Sequence, residues 1–191
     1  VFHFERSKQM KTSCLSIFLT IAMFSSSVFA SEKIEPIKGP IFTDYGPVYQ
    51  IADRAVQLPE NFVYKAVFDI TKSPDEPNQL NRQLESVARF INMHALNGVP
   101  VENMELAVVI HGGATKDLLN NKTYQGKFST DNPNLDLEHQ LRSKGVKFYL
   151  CGQSMVFSGY SKQDLDEPND LALSAMTMLV LLQEQGYRLL P

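Results

Sequence analysis

The sequence predicts an α/β fold: a three-layer α/β/α sandwich with a mainly parallel sheet of about five strands. Short β-rich runs without polar alternation recur along the chain, as they do in strands covered on both faces. Segments of helical period separate these runs, and strands separated by helices return to one sheet in parallel. Hydrophobic residues make up 43% and charged residues 20% of the 191 positions, a composition that can bury a core and is far from that of a disordered chain.

The elements follow in order. Arg6, Lys8 and Lys11 precede an uncharged stretch from Thr12 to Ser31, with an apolar centre from Leu15 to Phe24 and small residues at Val28 and Ala30. This is the pattern of a secretory leader over residues 1–30, cut after Ala30, with Met10 as an alternative start. The strongly apolar part is about half the ~20 residues needed to cross a bilayer, so no stable membrane insertion is expected after cleavage. The product would be periplasmic or secreted. Residues 31–63 have no clear period and carry Pro36, Pro40, Pro47 and Pro59 with Gly39 and Gly46, which reads as an extended arm. Its aromatics Phe42, Tyr45, Tyr49 and Phe62 could pack onto the body or onto a second subunit.

The folded domain is expected over residues 64–191. Tyr64 to Ile70 is the first strand, and Leu80, Leu84, Val87, Ala88, Ile91 and Ala95 then form one helical stripe. Asn97, Gly98 and Pro100 end that helix. Leu106 to Ile110 is the second strand. A helix is predicted to open at Asn132 and Pro133, as N-cap and first-turn proline, to turn Leu137 and Leu141 inward, and to stop at Gly145. Val146 to Leu150 is the third strand. Ala172 to Gln185 reads as an apolar helix with a short strand before it, and Gly186 leads into a last strand over Tyr187 to Leu190.

The formal net charge is −3, which argues against a nucleic-acid partner. Neither G-x-G-x-x-G nor G-x-x-x-x-G-K-[ST] occurs, so no nucleotide cofactor is expected. Two cysteines, Cys14 and Cys151, are too few for a thiolate zinc site, and there is no C-x-x-C or H-x-x-x-H pair. No metal is expected.

Ligands of open parallel sheets bind beyond the carboxyl ends of the strands. The first such junction offers Asp69, Thr71 and Lys72; the second His111, Gly112 and Gly113; the third Cys151, Gly152, Gln153 and Ser154. Cys151 stands where a strand stops and a helix can start, and N–H groups there would favour the thiolate. His111 could accept a proton or stabilise that thiolate as imidazolium, and the two glycines after it can turn N–H groups toward an anion. Asn92 and His94 lie about 200° apart around a helix axis and cannot serve one site. His94 reads as a packing or capping residue, His139 as part of an exposed charged face.

The stretch GVKFYLCGQSMVFSGYSKQDL, with Gly145 and Val146 opening the strand, Cys151 ending it, and Ser154 and Gly159 following, resembles the DsrE/DsrF-like family. NMHALNGVP followed by LAVVIHGGA, and ALSAMT near the end, look like its exported branch. The resemblance implies a flavodoxin-like three-layer sheet, homo-oligomers, and sulfur-relay chemistry in which the strand-end cysteine, here Cys151, carries a sulfane sulfur as a persulfide. Ser158 stands where relay members often have arginine.

Three functions compete. In the first, Cys151 handles sulfane sulfur, His111 assists, Lys72 or Lys116 biases the local potential, and the partners are a sulfur donor or acceptor protein or a small thiol. The second is a non-catalytic oligomeric module that binds a small anionic or thiol ligand in the same strand-end pocket, through Gly112, Gly113, Gly152, Gln153, Ser154, Asp69 and Lys72. The third, a cysteine hydrolase, needs a group to orient His111, and Asp69 is the candidate.

Overall fold

The structure is a computed structural model that describes residues 34–190 together with the isolated positions Val1 and His3. The leader expected over residues 1–30 and Cys14 lie outside the described residues. Five parallel strands form one sheet: β1 (Tyr64–Ile70), β2 (Met104–Ile110), β3 (Lys147–Cys151), β4 (Leu171–Ala172) and β5 (Arg188–Leu190), in the order β4-β3-β2-β1-β5. Side chains alternate across it. Ala66, Phe68, Ile70, Leu106, Val108, Ile110, Phe148 and Leu150 face one layer, and Val67, Ala107, Val109 and Cys151 face the other. The first layer holds α1 (Arg82–Leu96) and α3 (Leu135–Ser143); the second holds α5 (Ala175–Glu184), through Ala175 and Leu182. The expected three-layer α/β arrangement is therefore present.

Helix α1 begins where the Asn81 side chain accepts from the N–H groups of Gln83 and Leu84. Leu84, Val87, Ala88 and Ile91 are buried along the predicted stripe, while Leu80 lies before the cap and packs against the core from outside the helix. The expected cap of α3 is displaced. Its N-cap is Asn134, not Asn132; the Asn132 carboxamide accepts from the Asn134 N–H and donates to the carbonyls of Asp117 and Leu119, which fixes the turn before the helix. The third strand also runs one residue later than predicted, so Cys151 is its last member.

Helix α2 (Asn121–Phe128) has no counterpart in the sequence reading. Only Tyr124 of its eight residues is buried, so no apolar stripe betrays it. Its signal is the cap: Asn120 Oδ1 accepts from the Thr123 N–H at 2.9 Å.

The segment before β1 is seated on the body and belongs to the same compact unit, which begins at Ile34. Phe42 and Val48 are buried, and one isolated bridge joins Ile37 to Val48. Asn92 of α1 holds this segment. Its Oδ1 accepts from the N–H groups of Ile41 and Phe42, and its Nδ2 donates to the carbonyls of Phe42, Tyr45 and Gly46. His94 is a packing residue: its ring stacks on Phe90, meets Tyr64 edge-on, and its Nδ1 lies 2.8 Å from the Phe90 carbonyl. No helix of the described residues is long and apolar enough to cross a membrane.

Candidate functional site

All the predicted site residues lie at or just beyond the carboxyl ends of β1, β2 and β3, the middle of the sheet. Asp69, His111 and Cys151 share a face as well as an end. Ile70, Ile110 and Leu150 are register partners pointing to the α1 side. Alternation therefore turns Asp69, His111 and Cys151 toward the α5 side. The ladder continues past β2, since the His111 N–H donates to the Ile70 carbonyl, and His111 keeps extended backbone angles. One further register step sets His111 beside Cys151.

Cys151 ends β3 and caps α4 (Gly152–Phe157) in one residue. Its Sγ accepts from the Ser154 N–H at 3.4 Å. Gly152 follows because nothing larger fits: a Cβ there would lie 2.8 Å from the Ala172 carbonyl oxygen. That close approach lets β4 and the start of α5 fold over the sulfur, and only 5% of Cys151 is exposed. Burial pushes the thiol pKa up, but the Ser154 hydroxyl and the N–H groups of Ser154, Ala175 and Gln153 outweigh it, and the net shift is downward. Hydrogen bonds that favour the charged form stabilise a thiolate.

The Ser154 hydroxyl is itself oriented. Its Oγ accepts from the Gly112 N–H at 3.0 Å, which leaves its own proton for the sulfur and makes a chain of donors from the β2 loop to Cys151. Gly112 sits at φ +58°, with the Thr71 carbonyl oxygen 3.1 Å from where a Cβ would stand. A side chain would be strained there twice over.

His111 is fixed by Asp69. Its Nε2 is 2.9 Å from Asp69 Oδ1, both side chains being about three-quarters covered. This contact assigns the Nε2–H to the carboxylate and leaves Nδ1 as the ring's other nitrogen. Among the described residues no hydrogen bond joins His111 to Cys151, so the geometry holds an oriented histidine next to the thiol without an assembled Cys-His nucleophile pair.

A cavity of about 590 Å³ opens between the loop after β2 and the first turns of α4, lined by Gly112, Gly113, Gln153, Ser154, Phe157 and Ser158. Phe157 is almost wholly exposed. The sequence reading did not single it out, although it lies one helical turn beyond Ser154. The Ala175 N–H, twenty-four residues from the sulfur it faces, had no local signal either. Neither lysine considered for the site lines this cavity. Lys72 is exposed, and its carbonyl accepts from Asn81; Lys116 donates to the Pro74 carbonyl and lies over the Phe128 ring. Beneath the loops, buried Asp117 accepts from Ser73 Oγ and Asn81 Nδ2, both at 2.6 Å, and so ties the segment after β1 to the turn over Gly112–Leu118. Among the described residues no group of three or more His, Cys, Asp or Glu side chains is placed to hold a metal ion.

A fully parallel three-layer sheet whose central strand ends converge on one donor-stabilised thiol defines the class. The chain belongs to the DsrE/DsrF-like family, whose model matches residues 65–191. Membership supports a sulfur-relay-like function at the level of the family. A solved structure, that of a protein of unknown function from Methanobacterium thermoautotrophicum, is similar at 21% identity over 66% of this chain and 97% of that one, with a TM-score of 0.48. No functionally curated protein matches the chain.

Proposed function

We propose that this protein is an exported sulfur carrier in which Cys151 takes up a sulfane sulfur as a persulfide. The observation that carries the reading is the Ser154 N–H on the Cys151 sulfur, beside a Ser154 hydroxyl oriented by the Gly112 N–H; donors there favour the thiolate, in the downward direction of the Cys151 pKa. The thiolate is the attacking species in sulfur exchange. In the uptake step Cys151–S⁻ attacks the terminal sulfur of a donor R–S–SH. A new S–S bond forms to Cys151, the donor S–S bond breaks, and R–S⁻ leaves with the electron pair. The product is Cys151–S–SH, with no net oxidation. On this reading His111, held by Asp69 on the same face of the sheet, exchanges a proton with the persulfide or the leaving thiolate. The cavity that Ser154 lines gives the incoming sulfur chain its space, and the Ser154 N–H serves the persulfide anion as it serves the thiolate. The donor or acceptor is a small thiol or a protein.

Incubation with glutathione persulfide, followed by mass spectrometry of the intact and digested protein, tests this. One added sulfur on the Cys151 peptide, and none on that peptide in a folded Cys151→Ser variant, is the expected result. A wild-type Cys151 peptide that takes up no sulfur would sink the reading.

The near-complete burial of Cys151 favours one other reading, a non-catalytic module that binds a small anionic or thiol ligand in the 590 Å³ cavity. On that reading Cys151→Ser binds the ligand as the wild type does.

A further inference from the structure

The segment that covers the Cys151 sulfur has little to hold it in place by itself. Strand β4 is two residues long, paired to β3 only at Leu150↔Leu171 and Cys151↔Ala172, and so short an edge strand fixes its own position weakly. Yet the turn after it sets Ser174, the N-cap of α5, and Ala175, which packs in one buried cluster with Cys151. The anchors lie on α3. Arg142 donates through Nε and a terminal nitrogen to Glu138 Oε1, at 2.9 and 2.7 Å, and pairs with Asp170, the residue before β4. Its guanidinium lies 4.4 Å from the ring centroid of Phe148, three residues before Cys151 on β3. One turn away, His139 pairs with Asp166, whose N–H donates to the Leu118 carbonyl.

Glu138 is fully buried, and neither its Oε2 nor Asp170 Oδ2 has a hydrogen-bond partner, so Asp170 meets Arg142 as an ion pair. A buried ion cluster of this kind is weak evidence for stability, because desolvation consumes most of the attraction. What it supplies is a fixed geometry: the planar guanidinium spans Glu138 and Asp170 while stacked on a core ring of the strand that ends in Cys151.

We propose that Arg142 is a positioning residue for the Cys151 thiolate: by bridging α3 to Asp170 it holds β4 and the first turn of α5 against the sulfur. It touches neither the thiol nor the cavity and acts through β4, whose Ala172 pairs with Cys151, and through Ala175, which packs in the same buried cluster as Cys151. The proposal rests on the reading of Cys151 as a donor-stabilised thiolate.

The test uses the full chain with Asp170→Asn, Arg142→Met and Arg142→Lys. Asp170→Asn keeps Glu138 paired and so guards against simple misfolding. Two quantities are read at a temperature where circular dichroism shows each variant folded: hydrogen exchange of the amides at residues 172–177, and the pH midpoint of Cys151 alkylation followed on its own peptide. Asp170→Asn and Arg142→Met are expected to speed exchange at residues 172–177. They should also raise the midpoint by on the order of half a pH unit, a roughly threefold loss of reactivity at neutral pH. Arg142→Lys, which keeps the charge but loses the fork, is expected to fall between them and the wild type. Wild-type exchange and a wild-type midpoint in folded Asp170→Asn and Arg142→Met would overturn the proposal. Should wild-type Cys151 take up no sulfur while the variants still deprotect these amides, the carrier reading fails and the anchor stands.

Discussion

Asn92 makes all five of its polar contacts to backbone 46 to 51 residues earlier in the chain. Replacing it by alanine leaves the buried N–H of Phe42 and several carbonyls without partners and opens a gap under Gly39, and should cost about 2–4 kcal/mol. Aspartate should cost at least as much, because a carboxylate oxygen would then face the Phe42, Tyr45 and Gly46 carbonyls in place of an N–H. Urea unfolding of Asn92→Ala and Asn92→Asp checks this, and a midpoint unchanged from wild type in both would refute it. Asn92 also marks what a sequence withholds at this scale. Cys151, His111 and Asp69 could be found because each stands at the end of a strand that its own neighbours announce. Asn92 looks like any helix polar residue until the chain before β1 is laid against it, and Ala175 matters only through a backbone N–H.

At the scale of elements, α3 carries a proton question of its own. Burial pushes the Glu138 carboxyl up to about 7, against the pull of Arg142, and burial likewise raises Asp117 to about 6, against its bonds to Ser73 and Asn81. In both cases the folded protein holds the proton at a pH where the unfolded chain has released it. Between the unfolded and folded values the native state therefore binds more protons, and stability falls as pH rises through that window. For Glu138 the window runs from about 4.5 to about 7. Glu138→Gln removes this titration, so its stability relative to wild type should rise between pH 5 and 7.5, by on the order of a few kcal/mol. Urea unfolding at the two pH values measures the difference; a relative stability that stays level or falls between them would contradict the assignment.

Elements also differ in how far local sequence specifies them. Helix α1 was legible because its stripe and its stop signals agree. The start of α3 is not legible locally, because the roles of Asn132 and Asn134 are set by distant partners: Asn132 donates to the Asp117 and Leu119 carbonyls, and Asn134 Oδ1 accepts from the Asn81 N–H. Helix α2 escaped because a helix that buries one residue has almost no period to read.

For the whole molecule, the layers and the parallel sense of the sheet were legible, since alternation of strands and helices dictates both. The order β4-β3-β2-β1-β5 was not. It depends on which neighbour each strand finds, and it is what brings the ends of β1, β2 and β3 together with Asp69, His111 and Cys151 on one face. The central claim is that this convergence makes Cys151 a donor-stabilised, reactive thiolate. Its most direct test is the iodoacetamide alkylation rate of Cys151 against pH, read on the Cys151 peptide so that Cys14 is scored separately, with the unfolded chain as reference. An ordinary free thiol titrates near ~8.5, and the folded protein should react with a midpoint clearly below the unfolded reference, in the direction its donors impose. A Cys151 that resists alkylation at every pH until the chain unfolds, or that reacts with a midpoint at or above the reference, would contradict the claim.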